Sequence, residues 1–226
     1  MTEQQHPPRV YIDFKSPYAY ISIKAVWAME DDLDMHFDWL PFTLDIASFA
    51  GSATVNDDGS VAASNRSEKQ WNRVKYAYQD VRRYAKLMGL EFKAPHKIWD
   101  SSGAAIGLLW AKQHGVKAQR AYVGGVFDRF WRRDLDIEDA AVIVAMLGQA
   151  MVPEGGFLEY LIGEGKDLHD AIQRDAKDRK IFGVPSFLID GQWYWGREHI
   201  PYIRHLLGDQ DPHLLTPRMA GVSTLI

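Results

Sequence analysis

The sequence predicts an α/β fold in which a β-α-β unit and a β-β-α unit are separated by a long helical stretch. Three observations predict it. An apolar, β-favouring run enters a Ser-Pro helix start near the N-terminus; helical periodicity dominates from Ser67 to about Ile181; and two β-rich runs flank Asp190-Gly191 near the C-terminus.

Each element follows from local chemistry. Residues 9–14 carry Val10, Tyr11, Ile12 and Phe14 around one acid, Asp13, and read as a buried strand. Ser16 precedes Pro17, an N-cap followed by proline at the first helical position, and the helix runs to about Asp31. "MHFDWLP", residues 35–41, alternates apolar and polar side chains and makes the second strand. Then "FAGSATVNDDGSVAASNRS", about nineteen mostly small and polar residues, is expected to be a functional or mobile loop.

In the helical stretch, Trp71, Val74, Tyr78, Val81 and Ala85 share one face, and Gly89 stops that helix. Ser101 or Ser102 can cap "GAAIGLLWAKQHG", and 118–131, 136–150, 157–162 and 167–181 read as further helices. Trp110, Tyr122 and Trp131 serve either an interface or the core of these helices. Residues 186–189 and 192–195 pair across Asp190-Gly191 as a hairpin, and 197–207 close the fold as a helix that tolerates Pro201 only in its first turns.

The order β-α-β … β-β-α is what a thioredoxin-like fold requires, with a large inserted all-α domain between the halves. Residues 9–45 and 182–208 then form a discontinuous thioredoxin-like domain, 46–181 the insert and 209–226 a C-terminal tail.

Composition narrows the function. A formal net charge of −4 gives no general attraction to nucleic acid or anionic membranes, and no run of about 18 apolar residues exists to span a bilayer. The N-terminus lacks a basic, apolar leader pattern, so a soluble cytoplasmic protein is expected. With no cysteine, the chain has no thiol of its own for disulfide exchange or nucleophilic attack. Its eight histidines show no pair at metal-ligand spacing on one helix face, so no metal site is expected.

Two features carry chemistry. Ser16 stands where the first strand delivers the chain into a helix N-terminus, whose free N–H groups and dipole favour an anion. It is either the cap of that helix alone or a cap that also serves a thiolate. Val184-Pro185 precedes a strand; as a cis bond it would turn the Val184 backbone N–H and C=O toward the same site, and otherwise it is loop punctuation.

Taken together, "DFKSPYAYI", "SNR" (Ser64 to Arg66), "YAYQDVRRYAKLMGL" and "FGVPSFLIDGQWYWGREHI" resemble the 2-hydroxychromene-2-carboxylate isomerases. These belong with the kappa-class glutathione transferases and share the fold of DsbA-like oxidoreductases. The resemblance runs from about residue 9 to 207 and implies glutathione as cofactor, a small aromatic substrate and a homodimer. It implies that Ser16 donates a hydrogen bond to the glutathione sulfur, that Asn65 and Arg66 contact glutathione and substrate, and that Val184, before Pro185, pairs with the cysteinyl backbone. Trp195, Gly196, Arg197 and Glu198 fall where the family binds the γ-glutamyl end, and Trp99 where it places an aromatic in the substrate pocket. Two departures stand out. The family's Gly-Asn-Asp or Gly-Ser-Asp is Gly196-Arg197-Glu198 here, and Ser48 lies near the place of the family's substrate lysine. A kappa-like transferase and a non-catalytic, cysteine-free thioredoxin-like binding module are the alternatives.

Overall fold

The computed structural model describes residues 7–56 and 58–209. A four-stranded sheet is ordered β2-β1-β5-β6, from β1 (Arg9–Ile12), β2 (Asp38–Pro41), β5 (Ser186–Ile189) and β6 (Gln192–Trp195). β1 pairs parallel with β2, Val10 opposite Trp39, and antiparallel with β5, Val10 opposite Phe187. β5 turns into β6 through Asp190 and Gly191, both at positive φ (46° and 77°), the turn that the Asp-Gly dipeptide favours. β1 stops at Ile12, shorter than expected, because the Asp13 side chain takes up the backbone N–H of Lys15 and starts a turn.

α1 (Pro17–Asp32) returns the chain from β1 to β2 and buries Ile21, Ile23, Val26 and Met29, each contributing about 1.5–3 kcal/mol. Between the sheet halves lie α2 (Ile46–Ala50), β3 (Ala53–Val55), β4 (Val61–Ser64) and α3 (Glu68–Leu87). α4 (Ser102–Lys112), α5 (Val116–Arg132), α6 (Ala140–Gln149), α7 (Phe157–Ile162) and α8 (Glu164–Asp178) follow. A 3₁₀ turn, Arg197–His199, and α9 (Ile200–Leu206), with Pro201 in its first turn, close the fold.

An aromatic stack joins α5 to α1. Tyr20 lies 5.7 Å from Phe127 and 6.1 Å from Trp131, and Phe92 covers the other side of Trp131 at 4.9 Å. Tyr122 and Trp131 are wholly buried and belong to this core, which leaves them no part in an interface.

The small-residue loop differs from expectation in containing a hairpin of its own. β3 and β4 pair antiparallel around a turn in which the Asp58 carboxylate accepts both the N–H (2.8 Å) and the hydroxyl (2.6 Å) of Ser60. The Val55 N–H donates to the His96 carbonyl at 2.8 Å, tying the hairpin to the segment before α4. Because β4 is exposed along its whole length, it has no apolar alternation from which a strand is read. Apart from this hairpin the inserted stretch is helical. Of the expected tail, only Asp209 lies within the described residues.

Candidate active site

Ser16 is the N-cap of α1: its backbone is extended (φ −89°, ψ 115°) and its Oγ accepts the Ala19 N–H at 3.3 Å. The same hydroxyl donates to the Val184 carbonyl at 3.3 Å, across the sheet end. The Val184-Pro185 bond is cis, and the Pro185 carbonyl accepts the Gly196 N–H at 2.9 Å. Among the described residues, no group accepts the Val184 N–H. One cluster therefore holds Ser16, Val184, Pro185 and Gly196 at the start of α1.

Asp13 and Lys15, just before Ser16 in the chain, form a buried network with Ser101 that sequence reading did not find. The Asp13 carboxylate accepts four hydrogen bonds or ion contacts: from the Lys15 N–H (3.1 Å), the Ser101 hydroxyl (2.6 Å), the Leu44 N–H (2.7 Å) and the Lys15 ammonium (3.1 Å). The Lys15 ammonium also donates to Ser101 Oγ at 3.0 Å. Both charged side chains are almost fully buried, 4% and 1% exposed. The expected cap residue of α4, Ser101, makes no side-chain cap bond because its hydroxyl is committed here.

In the first turn of α1, Tyr18 donates to Asp80 of α3 at 3.4 Å, and Arg197 reaches the same carboxylate at 3.7 Å. The Arg197 guanidinium also lies 3.6 Å from the centre of the Tyr84 ring. Burial, helped by the Asp80 carboxylate, pushes the Tyr18 phenol above its ordinary value. A groove of about 570 Å³ opens on this side, lined by Tyr18, Lys69, Asn72, Arg73 and Tyr76 among others.

The remaining expected residues have local roles. Asn65 Oδ1 accepts the Ser52 N–H at 2.6 Å, and Arg66 Nε donates to the Gly51 carbonyl at 3.3 Å while its guanidinium covers Trp71 at 4.9 Å. Burial pulls the Arg66 guanidinium below its ordinary value, opposed by the Tyr78 phenol. Ser48 Oγ donates to the Asp45 carbonyl at 2.8 Å. Trp99 packs edge-on against Phe130, stacks beneath the Lys97 ammonium at 4.1 Å, and lines a separate cavity of about 210 Å³. Among the described residues, none of these four is hydrogen-bonded to Ser16 or Val184. Trp195 is 47% exposed and its indole covers Gly183; the Glu198 carboxylate folds back over Gly196, which sits at φ 104°.

Comparison with known proteins fits this geometry. The model of the DsbA-like thioredoxin domain matches residues 9–208. The chain belongs to the DsbA-like thioredoxin-domain family. Within that family, a 2-hydroxychromene-2-carboxylate isomerase of Pseudomonas putida is 24% identical over 201 residues, covering 88% of this chain and 92% of the relative. A protein of the same name from Sphingobium xenophagum is 22% identical over 204 residues, covering 88% and 96%. Among solved structures, a 2-hydroxychromene-2-carboxylate isomerase superposes with a TM-score of 0.67 at 22% identity, covering 90% of this chain and 95% of that one. A probable DsbA oxidoreductase of Streptomyces coelicolor also gives 0.67, at 16% identity, covering 89% and 88%. These structures share the DsbA-like fold, while redox members of such a family need a cysteine that this chain does not have.

Proposed function

We propose that this chain is a glutathione-dependent cis-trans isomerase of the 2-hydroxychromene-2-carboxylate type, acting on conjugated aromatic small molecules. The observation that carries the proposal is the pairing of Ser16 with Val184 at the start of α1 in a chain without cysteine. The names of its relatives point the same way. Here the protein keeps the anion-favouring helix end and receives a thiol from outside.

The residues fit the cofactor at its sulfur end. Both Ser16 hydrogen bonds are long, 3.3 Å, so the hydroxyl can turn from the Val184 carbonyl to a thiolate at small cost. Val184 offers an unpaired N–H and a carbonyl, the two groups an extended peptide needs for strand-like pairing. When bound, glutathione would supply a thiolate able to add reversibly to a conjugated double bond, the chemistry by which a cis bond can be exchanged for trans. Ser16 and the α1 N-terminus lower the cost of that anion by hydrogen bonding and dipole. Lys69 and Arg73, against the single acid Glu68, place a net positive charge in the groove beside Tyr18, where a substrate carboxylate would find a partner despite the missing lysine after β2.

Isothermal calorimetry with glutathione at millimolar concentration tests the reading, with saturable binding expected; absence of binding would sink it. Product analysis separates isomerase from transferase, because a kappa-like transferase releases the thioether and consumes glutathione. The homodimer belongs to the same proposal and is read by light scattering in solution.

A further inference from the structure

Asp13 is poorly placed for a site that must stabilise an anion. It is a buried carboxylate three residues before Ser16, and the Ser16 N–H donates to its backbone carbonyl at 2.9 Å. Its architectural use is clear. The carboxylate fixes the turn between β1 and α1 through the Lys15 N–H, the segment after β2 through the Leu44 N–H, and the start of α4 through Ser101. A buried negative charge on a residue so near in the chain raises the cost of a thiolate at the α1 N-terminus. Burial also removes the water that would screen it.

We infer that Lys15 is a positioning and charge-compensating residue of the Ser16 site: it cancels Asp13, so that the carboxylate can hold the turn without opposing a thiolate. Three features support this. The ammonium is 3.1 Å from the carboxylate with both side chains buried, and Ser101 bridges the pair by accepting from one and donating to the other. Of the other charged and titratable groups around the first turn of α1, Tyr18, Arg197 and Arg83 all reach the Asp80 carboxylate, and the Glu198 carboxylate lies over Gly196. Lys15 therefore serves Asp13 alone among them. The inference rests on reading the α1 N-terminus as a thiol site, but its test needs no glutathione.

The chain contains no cysteine, so Ser16→Cys places a single thiol at the site, and its titration, followed by the pH dependence of alkylation by iodoacetamide, reports the local field. In that background, Lys15→Met leaves Asp13 uncompensated and is expected to raise the midpoint by about one pH unit, a tenfold loss of thiolate at neutral pH. Asp13→Asn leaves Lys15 uncompensated and is expected to lower it by a similar amount. The double variant Asp13→Asn/Lys15→Met carries neither charge and is expected to titrate like its Ser16→Cys parent. Opposite shifts cancelling in the double variant support the inference. Midpoints unmoved in the single variants, shifts of the same sign, or a double variant displaced as far as Lys15→Met would overturn it. Should either single variant fail to fold, the other and the double still decide. Glutathione binding by the wild type is scored separately, so loss of that reading and loss of this one are distinct results.

Discussion

The sheet side and the insert of this molecule present two walls of different build. The sheet-side wall, formed by Asp13, Lys15, Ser16, Ser101 and Val184, is buried, and its contacts join segments far apart in the chain. The insert-side wall, which carries Ser48, Asn65 and Arg66, is largely exposed, and the hydrogen bonds of these three residues stay within the segment from Asp45 to Arg66. A chemical step needs groups held within fractions of an ångström, which buried and saturated networks provide. Discrimination among substrates needs side chains that can change without unfolding the protein, and exposed positions allow that. Under the proposed function, the thiol chemistry would fall to the first wall and the choice of substrate to the second.

The largest expected break in this comparison is Lys15→Met in the otherwise native chain. It leaves a buried carboxylate unpaired and is expected to cost about 3–5 kcal/mol in chemical denaturation, whereas Asn65→Ala on the opposite wall costs less than about 1 kcal/mol. Equal costs would erase the distinction between the walls. Next comes Gly183→Ala, whose added methyl falls well inside contact distance of the Trp195 indole. About 1–3 kcal/mol of overpacking is expected, with displacement of Trp195 visible in its fluorescence.

Smaller still is Arg197→Ala. The pair with Asp80 and the contact with Tyr84 are partly exposed and together are worth about 0.5–1 kcal/mol. If Arg197 only fastens the last 3₁₀ turn to α3, the dissociation constant for glutathione should change less than about threefold. A loss of tenfold or more would make it a ligand.

Alkaline pH gives the mildest test. Burial, with Asp128 beside it, holds the Tyr20 phenol above its ordinary value of 10.0, and burial does the same for Tyr122. The unfolded chain releases these protons first, so the native state binds more protons above that value and stability declines as pH rises. Melting temperature should be level below about pH 9 and fall above pH 10, with a shallower fall in Tyr20→Phe.

Much of this scaffold is legible in the sequence because its signals are local. Ser16-Pro17 marks a helix start, Asp190-Gly191 a hairpin, and Trp71 to Ala85 one helical face, and each is decided by neighbours a few residues away. The β3–β4 hairpin is not legible, since its residues are small and its second strand has no buried face. Nor is the network of Asp13, Lys15 and Ser101. In sequence Lys15 looks like a solvated cation and Ser101 like a helix cap, and only folding brings them together across a separation of 86 residues. Arg197 follows the same rule, its partners Asp80 and Tyr84 being supplied by a distant helix.

The central claim is that the Ser16 end of α1 stabilises a thiolate brought by glutathione. The direct measurement is the ultraviolet thiolate absorbance of glutathione bound to the wild type and to Ser16→Ala, at neutral pH and saturating ligand. The account predicts a thiolate band with the wild type and a loss of about tenfold or more in its population with Ser16→Ala, while the fold gives up only about 1 kcal/mol from the missing cap. Equal thiolate in both proteins, or none in the wild type, would contradict it.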